Sequence, residues 1–123
     1  MSRSKSVERE ILARKVALWL LFAMDATGRH AEELMFDSYG TLHDLEPGLE
    51  DAWYRVEERM TGVTDEFARL NATIQEISPR WKLERMAMID RNILRLGAWE
   101  ILSDSQPPLA VINACIELAK LYG

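Results

Sequence analysis

Few side chains in this 123-residue chain are of a type that does chemistry, and they are scattered. His30 and His43 are well separated, and neither shares a metal-ligand spacing with Cys115 or with a pair of carboxylates, so no metal site is expected. The chain has no glycine-rich phosphate loop, no nucleophile elbow and no histidine beside a nucleophile. Neither a catalytic residue nor a cofactor can be assigned. Cys115 lies on an apolar helical stripe, where cysteine is ordinarily a small buried hydrophobe. A non-enzymatic protein is the expectation, and its chemistry must then lie in charge.

Net charge is −5, which argues against a nucleic-acid binder because phosphate recognition leaves a basic footprint. That average hides an asymmetry. Residues 1–15 hold Arg3, Lys5, Arg9, Arg14 and Lys15 against Glu8 and Glu10, a net +3, while the remaining residues carry ten bases and eighteen acids, a net −8. A basic end on an acidic body implies either two kinds of partner surface or an exposed basic tail.

The elements that position these charges read as helices. No proline or glycine interrupts Ser6 to Thr27, where Val7, Ile11, Leu18 and Phe22 recur at helical spacing. From Val16 to Met24 the segment is apolar all round, which requires other helices about it; its nine residues are too few to cross a bilayer. Thr27-Gly28 ends it, and a second pattern through Ala31, Leu34 and Met35 runs to about Tyr39, before Gly40. A third helix starts near Gly48 with Leu49, Ala52, Trp53, Val56 and Met60, and Thr61-Gly62 interrupts it. Thr64 reads as the N-cap of a helix through Phe67, Leu70 and Ile74 to Ile77, stopped by Ser78-Pro79. Leu83 to about Ser103 follows, then the turn Asp104 to Pro108 and a last helix carrying Ile112, Cys115, Ile116 and Ala119. The fold class is all-α, a compact bundle of about six helices forming one domain over residues 1–123.

On the wheel of the helix at 83–103, Met86, Ile89, Ile93, Leu96, Gly97 and Ile101 make one apolar face. Glu84, Arg91, Asn92, Arg95 and Ser103 make the other, yet Met88 and Trp99 sit among them. An apolar pair flanked by arginines has the composition of a protein or RNA contact surface; alternatively, another helix of the same bundle covers it. Asp90 and Glu100 fall toward the apolar face, where an unpaired carboxylate is costly. Glu100 reads as a paired structural acid, and Asp90 as an acid that looks out at a partner.

The stretch WKLERMAMIDRNILRLGAWEIL from Trp81 to Leu102, a proline-containing turn, and AVINACIELAKLYG from Ala110 to Gly123 resemble the C-terminal half of the bacterial NusB transcription antitermination family. Arg14, Ala17, Leu21 and Phe22 match that family's first-helix pattern, and Gly62-Val63 falls at its usual spacing before Trp81. The resemblance spans nearly the whole chain, weakly between residues 26 and 60.

It implies two small helical subdomains, no catalysis, no cofactor and a cytoplasmic role in transcription of ribosomal RNA operons, with no membrane association. Its implied partners are a NusE-like small-subunit ribosomal protein, boxA-type single-stranded RNA and the RNA polymerase antitermination complex. Carried over, Arg14 is the matching RNA-contacting arginine; the charge of the basic end adds Arg3, Lys5, Arg9 and Lys15 as candidate RNA contacts. Asp90 is likewise the implied partner contact, with Arg91 beside it, and the wheel adds Met88, Arg95 and Trp99 as candidate partner contacts.

Two departures stand out. Where the family has several arginines just before the position of Arg14, this chain has Glu10, Ile11 and Leu12. RNA binding is then weaker and less salt-dependent unless Arg3, Lys5 and Arg9 substitute. The family also continues past the position of Gly123 into a Lys-Phe-Val-Asn-Gly-like stretch and a further helix; a shortened chain, a divergent paralogue or a homodimer covering the exposed surface would account for the difference. The rival reading is a protein-interaction module of this fold that has lost RNA binding. A third, the NusB-like N-terminal domain of an rRNA methyltransferase, requires a following catalytic domain.

Overall fold

The structure, a computed structural model, describes Ser4–Gly123. Its described residues form six α-helices: α1 Lys5–Thr27, α2 Ala31–Leu45, α3 Leu49–Asp65, α4 Phe67–Ile77, α5 Met88–Leu102 and α6 Pro108–Tyr122. A 3-10 turn at Leu83–Arg85 precedes α5, and the described residues contain no strand. The all-α class expected from the periodicity is the one observed. Two compact units divide the chain, Met1–Thr61 and Gly62–Gly123.

In the first unit the Ser4 hydroxyl caps α1, accepting the Val7 N–H at 3.2 Å. Gly28 closes the helix at φ +74°, donating its N–H to the Met24 carbonyl at 2.8 Å. Glycine reaches that left-handed geometry without a Cβ clash, so one residue sets the end of the helix. Ala13, Val16, Ala17, Leu18, Leu20 and Leu21 are buried, which gives the all-round apolar segment the cover it needs. Of the stripe read from sequence, only Leu18 reaches the core; Val7, Ile11 and Phe22 are exposed.

α2 packs on α1 and continues through Gly40 to Leu45, beyond the expected end near Tyr39. A glycine inside a helix costs only about 1 kcal/mol, which the packing of its neighbours overcomes. Tyr39 stands edge-on to Trp53 of α3 with ring centroids 4.7 Å apart. Pro47 disfavours helical backbone at Glu46, and there α2 stops.

The second unit begins inside α3, which passes Thr61-Gly62 unbroken and ends at Asp65. Thr64 is therefore within that helix, and Glu66 takes the N-cap position of α4 without a side-chain hydrogen bond. Gly62 serves a close approach: a Cβ built there would lie 2.1 Å from Trp99 Nε1 and Cε2. α5 packs on α4 and α6, and it begins at Met88, well after the expected start at Leu83. Between α4 and α5 the Gln75 side chain pins the loop, donating to the Ser78 and Trp81 carbonyls at 2.9 and 3.0 Å and accepting the Leu83 N–H at 3.2 Å. α5 and α6 meet at Gly97, where a Cβ would come within 2.7 Å of Cys115 Sγ.

Candidate functional site

The basic residues expected to meet RNA fall into distinct environments. Arg3 lies outside the described residues. Lys5 opens α1 and is exposed, while Arg9, one turn on, is half-buried. Arg14 is 7% exposed, a buried residue instead of the outward-facing base that the sequence suggested. Lys15 Nζ lies 2.5 Å from Glu46 Oε1 and 5.3 Å from the centroid of the Trp19 ring.

Glu10, the acid standing where arginines were expected, has a structural job that sequence reasoning missed. Its carboxylate takes Arg55 Nε at 2.9 Å and also hydrogen-bonds Arg59 Nη2, tying α1 to α3 within the first unit. The Arg59 side chain is 2% exposed, so a carboxylate beside it offsets a large desolvation cost. Arg59 also donates to the Arg55 carbonyl at 3.1 Å, and Arg55 to the Ser6 carbonyl at 3.3 Å. Arg55 and Arg59 are four residues apart beside the buried Val56 and Met60, the one signal in the sequence that two arginines share a helix face near the core.

The partner residues proposed on α5 separate along the helix. Met88 and Asp90 are exposed and Arg91 is half-buried. Because α5 begins at Met88, Asp90 sits in its first turn, where a carboxylate complements the helix dipole by about 0.3–1 kcal/mol. The local fold thus gives this acid a reason that the wheel drawn from Leu83 concealed. Arg91 Nη1 reaches the Leu83 and Glu84 carbonyls at 3.4 Å.

Arg95 and Trp99 are interior residues, 6% and 9% exposed. Arg95 donates to Asn71 Oδ1 at 2.8 Å and Asn92 Oδ1 at 3.0 Å, and its guanidinium stacks 4.5 Å from the centroid of Phe67. Trp99 lies against Gly62. Of the two readings open at the sequence level, coverage by the bundle describes these two, because α4 and the end of α3 occupy that side of α5. Glu100 is fully buried. Cys115 is a half-buried thiol whose Sγ lies 3.9 Å from the Ile93 carbonyl. Among the described residues no three His, Cys, Asp or Glu side chains gather as metal ligands, and no helix is long and apolar enough to cross a membrane.

Fold and site together define an all-helical protein whose candidate residues are surface charges and buried ion pairs. A chain in the solved structure described as "Crystal Structure of a Plectonemic RNA Supercoil" shares this fold with a TM-score of 0.79, at 23% identity, over 94% of this chain and 82% of that one. The chain belongs to the NusB family, whose family model matches residues 11–123. Among its relatives, the Sorangium cellulosum protein is 40% identical over 111 residues, covering 89% of this chain and 76% of the relative. The Anaeromyxobacter dehalogenans strain 2CP-1 protein is 32% identical over 115 residues, 94% and 79% respectively, and the Rubrobacter xylanophilus protein 38% over 109, 88% and 73%. All three are named transcription antitermination protein NusB.

Proposed function

We propose that this protein is a transcription antitermination factor that acts by binding and performs no catalysis. The observation that carries this reading is the family match over residues 11–123, joined by relatives of that name at up to 40% identity among those described. In this reading it is a cytoplasmic adaptor that joins a NusE-like ribosomal protein, and the pair holds boxA-type single-stranded RNA within the RNA polymerase antitermination complex. Exposed Lys5 and half-buried Arg9 supply phosphate contacts, with Arg3 ahead of them. Arg14 and Lys15, buried and ion-paired respectively, hold the helix that presents them. Asp90, Met88 and Arg91 face the protein partner, while Arg95 and Trp99 fix the shape of α5 from within.

The test is binding of a boxA-type RNA by the protein with NusE, followed by fluorescence anisotropy across a salt series. Binding that is tightest at low salt supports the reading, and Lys5→Ala with Arg9→Ala should lower the salt slope by about 2, roughly one per lost phosphate contact. Absence of binding at low salt refutes it. One observation favours the rival interaction module that lacks RNA binding: Glu10, where the resemblance leads one to expect arginine, is committed to Arg55 and Arg59. That reading is favoured if the ribosomal protein binds and the RNA does not.

A further inference from the structure

α2 packs one side on α1 and leaves the other without cover. Ala31 and Leu34 are its buried residues, and Phe36 stands on the opposite side of the helix, 87% exposed, the highest figure among the large apolar residues described. In steps of four, one row of that outer side runs Glu32, Phe36, Gly40, Asp44, all exposed. Rows of this spacing are the ridges with which one helix packs on another. This row has an acid at each end, about 18 Å apart, with a bulky ring and a bare stretch of backbone between them.

A single exposed apolar side chain is ordinary on a protein surface, but Phe36 beside Gly40 is a different case. Glycine is a poor residue for a helix interior, and where it stands there it commonly makes room for a close neighbour. Gly62 and Gly97 make room for Trp99 and Cys115, whereas a Cβ built at Gly40 meets nothing within 4 Å. Among the described residues no atom fills this notch, so the room it leaves fits a side chain from outside. Charge selects the partner. From His30 to Tyr54 the sequence has seven acids and neither lysine nor arginine. Arg29, just ahead of that stretch, takes Glu33 at 2.8 Å and also Asp37 on the flank of the row. Such a face repels nucleic acid and anionic lipid and attracts a segment that carries lysine or arginine.

The geometry points to this row of α2 as a docking surface for a basic amphipathic helix of a partner protein. An apolar side chain of that helix seats in the notch at Gly40 against the Phe36 ring, and lysines or arginines on either side of it meet Glu32 and Asp44. The surface uses none of the residues assigned above to RNA or to the ribosomal protein, so it stands whether or not the antitermination reading does. The probe is a fluorescein-labelled helical peptide of about 15 residues, leucines on one face and lysines flanking them, beside a second peptide with glutamates in place of the lysines. Fluorescence anisotropy on the full chain should show saturable binding of the lysine peptide that weakens as salt rises, and none of the glutamate peptide. Phe36→Ala should weaken binding at least about tenfold with helical circular dichroism intact. Gly40→Gln, which fills the notch without adding charge or apolar surface, should weaken it in the same direction while raising Tm, because glutamine is the better helix residue. A purely structural glycine would not move the two readouts oppositely. Glu32→Lys with Asp44→Lys should abolish binding, whereas the same charge change at Asp51 and Glu58, on the side of α3 away from Trp53, should cost less than about threefold. Absence of saturable binding overturns the proposal, as do Phe36→Ala and Gly40→Gln proteins that bind like the parent. Equal losses from the two charge reversals mean attraction to net charge alone and overturn it too. An oligouridylate, or a second copy of the chain, that binds the parent and is released by the Phe36 and Gly40 variants assigns the row to another occupant and overturns it equally.

Discussion

Replacing Gly62 with alanine discriminates between two readings of one residue. If Gly62 broke a helix, Gly62→Ala would be neutral or stabilising, because alanine is favoured over glycine in a helix by about 1 kcal/mol. In the structure the residue is helical, and the new Cβ would stand 2.1 Å from the indole edge of Trp99, where carbon contacts need at least about 3.5 Å. Trp99 is 9% exposed and packed, so the ring must shift by more than an ångström against its neighbours. Overpacking costs about 1–3 kcal/mol, sometimes more, and an overlap with three indole atoms belongs at the upper end, about 2–3 kcal/mol; set against the propensity gain of about 1 kcal/mol, the net loss is about 1–2 kcal/mol, or roughly 4–8 °C in Tm for a chain of this size. Gly40→Ala is the internal control, since Gly40 lies in a helix with no atom within 4 Å of a built Cβ; it should raise Tm by a few degrees. Thermal and urea unfolding by circular dichroism give both values, with unchanged m-values showing that only stability moved. Trp99→Phe shortens the offending ring edge, so the double variant Gly62→Ala/Trp99→Phe should recover about 1 kcal/mol relative to additivity. A Gly62→Ala protein as stable as its parent would refute the close approach and restore the helix break.

Three further outcomes follow from contacts described above. Glu10→Ala should destabilise the protein by about 2–4 kcal/mol in urea unfolding, because it leaves the buried Arg59 guanidinium without its carboxylate; no loss would mean that the ion pair is dispensable. Gly97→Ala should lower Tm and Cys115→Ala should rescue it, since the new Cβ would meet Cys115 Sγ at 2.7 Å. Gln75→Ala removes three hydrogen bonds to the Ser78–Leu83 loop and should speed hydrogen exchange there while costing about 1–2 kcal/mol.

What could be read from the sequence was whatever one residue or one stripe decides. Gly28 ended α1 because its left-handed φ is a local matter, and the all-round apolar run from Val16 demanded cover and received it. Gly40 and Gly62 misled because a glycine's helix penalty is small beside tertiary packing, and the partner that decides Gly62 lies in another helix. Starting α5 at Leu83 put Glu84 and Met86 on a wheel to which they do not belong and hid the place of Asp90 in the first turn. Arg95 and Trp99 pointed away from the apolar face of their own helix, and only the positions of Phe67, Asn71 and Gly62 reveal that this side is interior as well. Glu10 and its arginines, 49 residues apart for Arg59, carry no local signal of one another.

The Glu10 bridge alters the electrostatic accounting at the start of α1. Counted along the chain, an acid among the bases of residues 1–15 removes positive potential from that stretch. Counted in space, its negative charge is matched by the guanidinium groups of Arg55 and Arg59, so it does not stand uncompensated. Potential at a surface sums over all nearby charges irrespective of which helix bears them. A field assigned to consecutive arginines on one helix can therefore be assembled from two helices, with an acid at the joint serving as the bond between them.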